Sequence, residues 1–251
     1  MTFEDSIPAR SAPELNPPTS QQEAIHGPSP DSLKAAASDP ALSEDLTLAL
    51  LKRNDLLPEV VEQLSKNSVV MKSRKVKRAV VGHPKTPRYV AVAIVRQLFT
   101  FDLMQVALLP TLAGDLKVAA EEALIKRLEA ISSGEKLSLA RRASGRVAGV
   151  LMLDPDPRII RAALENPRMT EALIVRALTR LGVSPALVLA VCNHSKWSLR
   201  REIRIALLRN EKTPMGFALE FARTLPLAVL KEVLESSRLP SNVKSCLLKG
   251  S

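Results

Sequence analysis

The chain has 251 residues, 46 % of them apolar, which is enough for a sizeable core. Its two cysteines, Cys192 and Cys246, stand far apart and outside any CxxC pair, which excludes a disulfide framework and points to a reducing compartment. The net charge of +10 favours anionic partners, but one Trp, one Tyr and five Phe are too few for a platform that stacks bases.

The first segment differs in composition from the rest. Residues 1–30 hold six of the eighteen prolines, with Ser, Gln and Asn and few large apolar side chains. Such a stretch cannot bury enough surface to offset its ordering entropy, so it is predicted to be a disordered proline-rich tail. The start, Met1-Thr2-Phe3-Glu4-Asp5-Ser6, has neither the basic nor the apolar region of a signal peptide. No apolar run approaches a membrane span, so the reading predicts no membrane insertion and a cytoplasmic location.

Residues 31–251 read as one α-helical repeat domain. Segment 58–96 recurs without a gap at 185–223, in one constant register that sets Pro58 on Pro185. In that register Ser68, Arg74, Ala79, Lys85, Thr86, Pro87 and Arg96 meet Ser195, Arg201, Ala206, Lys212, Thr213, Pro214 and Arg223. A partial copy, Arg158 to Thr170, aligns with both. The three copies are anchored on Pro84, Pro167 and Glu211. The first of these spacings is nearly twice the second, which gives a unit of about 42 residues, in the range of two- and three-helix repeats. A degenerate copy is therefore expected within Gly114 to Leu153.

Each unit opens with a proline, as at Pro58 and Pro185, where the missing N–H has no helical partner to lose. A polar break follows at Asn67 or His194, then a basic helix, then a second break at His83 or Asn210. Thr86 and Thr213 precede a proline in the manner of N-cap residues. His83 and His194 occupy positions where other breaks hold asparagine, which suggests turn or capping roles. Asp154 and Asp156, among prolines, also read as caps. The apolar run 147–153 continues a helical pattern that begins at Glu135. Alternating strands are lacking, and the fold class is all-α.

Charge is distributed unevenly. Residues 1–65 carry a net −7, residues 66–100 a net +9, residues 101–135 a net −3 and residues 136–251 a net +11. The cations concentrate on the basic helices: Lys72, Arg74, Lys75, Lys77 and Arg78 in one copy, Arg158 and Arg161 in the partial copy, and Arg200, Arg201 and Arg204 in the other. If equivalent helices stack, these side chains form a stripe able to hold phosphates. The alternative is that they are solvated or paired with acids of a neighbouring unit. Trp197, the one tryptophan, matches Val70. It reads as a packing residue at a repeat interface, or as an aromatic anchor beside Arg200 and Arg201. These eleven residues are the candidate partner-binding set. No P-loop, GxGxxG or GxSxG is present, and no His, Cys or carboxylate spacing suits a metal. No catalytic residue, cofactor or small-molecule substrate is assigned.

The unit beginning at Asp156-Pro157-Arg158-Ile159-Ile160-Arg161, and its counterpart from Ser198 to Pro214, resemble HEAT-like repeats of bacteria, above all the leucine-rich repeat variant. The likeness covers about residues 40–248. It implies a right-handed α-solenoid of about five helical-hairpin units. The variant family is associated with an iron–sulfur cluster on a cysteine-rich N-terminal segment. This chain has no cysteine before Cys192, so that group does not carry over. The function expected is a non-enzymatic scaffold that binds a macromolecular partner, a protein first, on a concave or basic face. A nucleic-acid backbone binder using the same helices is the alternative. A repeat-built DNA glycosylase or lyase, which some HEAT-like proteins resemble, is the remote one.

Ala79 and Ala206 occupy one repeat position, where close helix approach demands a small side chain. Ala206→Leu is therefore predicted to overpack and cost about 1–3 kcal/mol, read as a lowered urea midpoint.

Overall fold

The structure is a computed structural model that describes residues 30–250. The predicted tail lies outside the described residues, except that Pro30 opens the first helix. Among the described residues there are sixteen α-helices and no strand. They are α1 (Pro30–Ser38), α2 (Glu44–Leu50), α3 (Pro58–Lys66), α4 (Arg74–Gly82), α5 (Arg88–Gln97), α6 (Thr100–Ala107), α7 (Gly114–Arg127), α8 (Ser133–Arg142) and α9 (Gly145–Leu151). The series continues with α10 (Pro157–Leu164), α11 (Glu171–Leu178), α12 (Pro185–Cys192), α13 (Arg201–Leu208), α14 (Met215–Arg223), α15 (Leu227–Glu235) and α16 (Ser241–Lys249). None is long and apolar enough to cross a membrane.

The register that sets Pro58 on Pro185 reaches beyond residues 58–96. Every helix from α1 to α7 starts at the position equivalent to the start of its counterpart in α10 to α16, beginning with Pro30 and Pro157 and ending with Gly114 and Ser241. The sequence carries the same extension: Pro40, Glu44 and Leu46 meet Pro167, Glu171 and Leu173. Seven consecutive helix starts thus share one register, so the breaks coincide well beyond the matching segment. The degenerate stretch 114–153 holds α7, α8 and α9.

Local chemistry explains the boundaries. Ser43, Ser132, Ser144, Asp156, Thr170 and Ser184 each accept a backbone N–H in the first turn of the next helix. Ser132 and Glu135 complete a capping box. Proline stands at the first turn of α3, α10 and α12. Two sequence expectations are corrected. The helical pattern from Glu135 does not run on to Leu153; it breaks at Ala143, because Ser144 caps α9 instead of continuing α8. Thr86 and Thr213 do not cap the helix that follows. Their hydroxyls donate backwards, to the carbonyls of Val80 and Leu207, and so close the last turn of the preceding helix.

The chain divides into two compact units. One runs to Val80 and takes in Lys85–Pro87; the other comprises Val81–Pro84 and everything from Arg88. In the first, α1 packs on α3. In the second, packing between helices two apart recurs: α5 on α7, α7 on α9, α8 on α10, α9 on α11, α10 on α12, α11 on α13, and α14 on α16. Ile159, Ile160, Ile174, Val188, Ile203 and Leu207 are fully covered there, and burying each stabilises by about 1.5–3 kcal/mol. Ala206 is buried whereas Ala79 is only half-buried, so the close approach expected at this repeat position is tight in the second copy alone. At Gly145 a Cβ would collide with the backbone carbonyl of Arg168, so α9 reaches its neighbour only through a glycine.

Candidate functional site

The three asparagine breaks, at Asn67, Asn166 and Asn210, share one geometry. Asn67 accepts the N–H of Val69 and donates its side-chain amide to the carbonyls of Ala37 and Asp39, at 3.2 and 2.9 Å. Asn166 accepts from the N–H of Arg168 and donates to Ala140 and Ala143, at 2.7 and 3.1 Å. Asn210 accepts from Lys212 and donates to Leu178 at 3.0 Å. In each case one amide holds its own turn with the oxygen. Its nitrogen satisfies the open carbonyls that end a helix about 30 residues earlier.

His194 is the repeat counterpart of Asn67 and performs half of this task. Its Nδ1 accepts the N–H of Lys196 at 3.1 Å. The imidazole does not supply the other half; Trp197 does. The indole N–H donates at 2.8 Å to Leu164, which stands where the first copy has Ala37. Trp197 is only 3 % exposed, and Lys196 Nζ lies 4.1 Å from its ring centre. Of the two readings of this residue, burial and the bond to Leu164 support packing at a helix interface; no face is presented as an anchor. Sequence spacing matched Trp197 to Val70 but could not show that an indole takes over an amide's bond.

The ten candidate cations divide between the two units. In the first, Lys72 is exposed at the end of the short 3₁₀ turn Val70–Lys72. Lys75 pairs with Glu44 at 3.1 Å, and hydrogen bonds from Ser73 and Lys75 hold the Glu44 carboxyl below its usual range. Arg74 is exposed, and Lys77 and Arg78 are half-buried. In the second unit, Arg158 closes on Asp156 at 2.8 Å, and its guanidinium hydrogen bond to that carboxyl holds the carboxyl below its ordinary value. Arg204 donates from Nε to the carbonyl of Ser198 at 2.7 Å and covers the Phe221 ring. Arg161, Arg200 and Arg201 are exposed and have no ion-pair partner among the described residues. Cations outside the candidate set also serve the chain itself. Arg127 reaches the carbonyls of Leu98 and Arg96, Arg168 that of Arg142, and Lys212 that of Val183.

Within the second unit an open groove of about 530 Å³ runs between α10 and α12. Arg161 and Glu165 stand on one wall, Ala186, Leu189 and Ala190 on the other, and His194 also lines the groove. Cys192, on the same helix, is buried, and burial pushes its thiol up to about 11, so it stays protonated at neutral pH. Among the described residues no three His, Cys, Asp or Glu side chains converge as metal ligands. Comparison with family models, with curated proteins and with solved structures finds no significant match, so the site is read from its own geometry.

Burial lowers the His194 pKa below its ordinary 6.5, aided by Lys196 and opposed by the Glu165 carboxylate. The folded state thus favours the neutral ring, whose Nδ1 can accept. This contribution is complete above the unfolded pKa and is lost as pH falls through the lowered folded one. His194→Asn is expected to shrink the drop in melting temperature between about pH 7.5 and about pH 5, measured beside the parent protein.

Proposed function

We propose that the chain is a non-enzymatic scaffold, a right-handed α-solenoid of HEAT-like helical hairpins that binds a protein partner in the cytoplasm. The solenoid reading is supported by the shared register of seven helix starts and by the packing of helices two apart in the second unit. A unit of this kind buries its apolar face only against its neighbours, which is how repeat arrays are stabilised.

The observation that carries the choice of a protein over a nucleic acid is the use made of the cations. Lys75, Arg158 and Arg204 are engaged by carboxylates or carbonyls of the chain itself. Backbone recognition of a duplex requires cations left for phosphates, since each neutralised phosphate adds to affinity and to its salt dependence. Of the candidate set, Lys72, Arg161, Arg200 and Arg201 are exposed and have no ion-pair partner among the described residues, a small set for that purpose. A cytoplasmic setting is in keeping with Cys192 and Cys246, both free thiols.

Fluorescence anisotropy with duplex DNA and RNA tests this choice. Binding is expected to be no tighter than about 10⁻⁵ M at about 50 mM salt, and unchanged by Arg200→Ala with Arg201→Ala. A steep salt dependence that flattens in that variant would favour the nucleic-acid reading instead.

A further inference from the structure

The duplication supplies an internal control for the groove between α10 and α12. The same groove exists in the first unit between α1 and α3, with a volume of about 380 Å³. Its lining comes from the equivalent repeat positions. Glu59, Glu62, Gln63 and Lys66 stand where α12 and its C-cap have Ala186, Leu189, Ala190 and Asn193. The inner faces of the two helices agree: Val60, Val61 and Leu64 are buried in α3, and Leu187, Val188 and Val191 in α12. Packing therefore requires the inner residues and leaves the outer ones free to vary.

In α3 the outer face is charged, and Lys66 pairs with Glu62 at 2.7 Å. In α12 it is apolar. From Pro185 to Val191 the helix has no polar side chain at all, a pattern suited to an interior. Yet Leu189 is 47 % exposed, and Ala186 and Ala190 are half-exposed. The facing wall is polar and asymmetric. Arg161 and Glu165 lie one turn apart on α10 and its C-cap, and neither has an ion-pair partner among the described residues.

We infer that this groove docks an amphipathic α-helix of the partner protein. Its apolar stripe lies on Leu189, Ala186 and Ala190, and its carboxylate and ammonium, one turn apart, meet Arg161 and Glu165. The apolar contact supplies the affinity and the paired charges set the direction of the helix. Arg161 calls for an acid and Glu165 for a base, so the order of the two charges on the ligand is specified. This inference deepens the scaffold reading and rests on it.

The probe is a fluorescein-labelled synthetic helix of about 18 residues, with Leu at i, i+3, i+4 and i+7 and a Glu and a Lys one turn apart beside the stripe. The full chain is expected to bind it saturably with a Kd on the order of 10 μM. Replacing the outer face by that of the sister groove (Ala186→Glu, Leu189→Glu, Ala190→Gln and Asn193→Lys together) is expected to weaken binding at least about tenfold. Leu189→Glu alone, at an exposed position, is expected to weaken it in the same direction and guards against misfolding of the fourfold variant, which far-UV circular dichroism monitors. A peptide with Glu and Lys exchanged should bind several-fold more weakly. No saturable binding by the parent chain, or equal binding by parent and variants, overturns the inference. A protein partner held equally by parent and fourfold variant would leave the scaffold reading in place while overturning the groove.

Discussion

A helix ends with carbonyls that have no partner in the helix, and the sixteen short helices among the described residues have many of them. Buried and unsatisfied, each would cost about 1–3 kcal/mol. The breaks answer this with side chains that reach back to an earlier helix: Asn67, Asn166 and Asn210 through their amides and Trp197 through its indole. Each such bond ties a turn to the end of that helix. The apolar packing between those helices can then be anhydrous without leaving polar groups stranded.

The same constraint accounts for the basic composition. Cations are suited to helix C-termini because the carbonyl ends are negative, and Arg127 and Arg168 are occupied with such carbonyls. A net charge of +10 is thus partly a structural property of the stacking. The cations left without such a partner are fewer and more local. In the groove between α10 and α12 the second copy has an apolar outer face where the first has a charged one, and both copies bury the inner face.

Much of the helical organisation was legible because proline, asparagine and threonine recur at fixed spacing. Pro58 with Pro185 and Thr86 with Thr213 placed the breaks correctly. The register of α1 and α2 with α10 and α11 is only faint in the sequence, carried by Pro30 with Pro157, Pro40 with Pro167 and Glu44 with Glu171. The apolar residues between those markers differ, which dilutes the match by eye. The direction in which Thr86 and Thr213 donate was not legible, since a hydroxyl can serve the helix before it or after it. Nor was the groove, because exposure of Leu189 depends on what packs beside α12. The candidate cations were found by density alone, and density does not distinguish Arg161, left open, from Arg204, committed to Ser198.

The division of one asparagine's work between His194 and Trp197 is tested most directly by a double-mutant cycle of His194→Asn and Trp197→Val, read by urea denaturation at neutral pH. With asparagine at position 194, the amide can take the Leu164 carbonyl that the lost indole releases, as Asn67 takes that of Ala37. Trp197→Val should therefore cost less in the His194→Asn background than in the parent, by about 1 kcal/mol, the cavity cost cancelling in the comparison. Equal costs in both backgrounds would contradict the account.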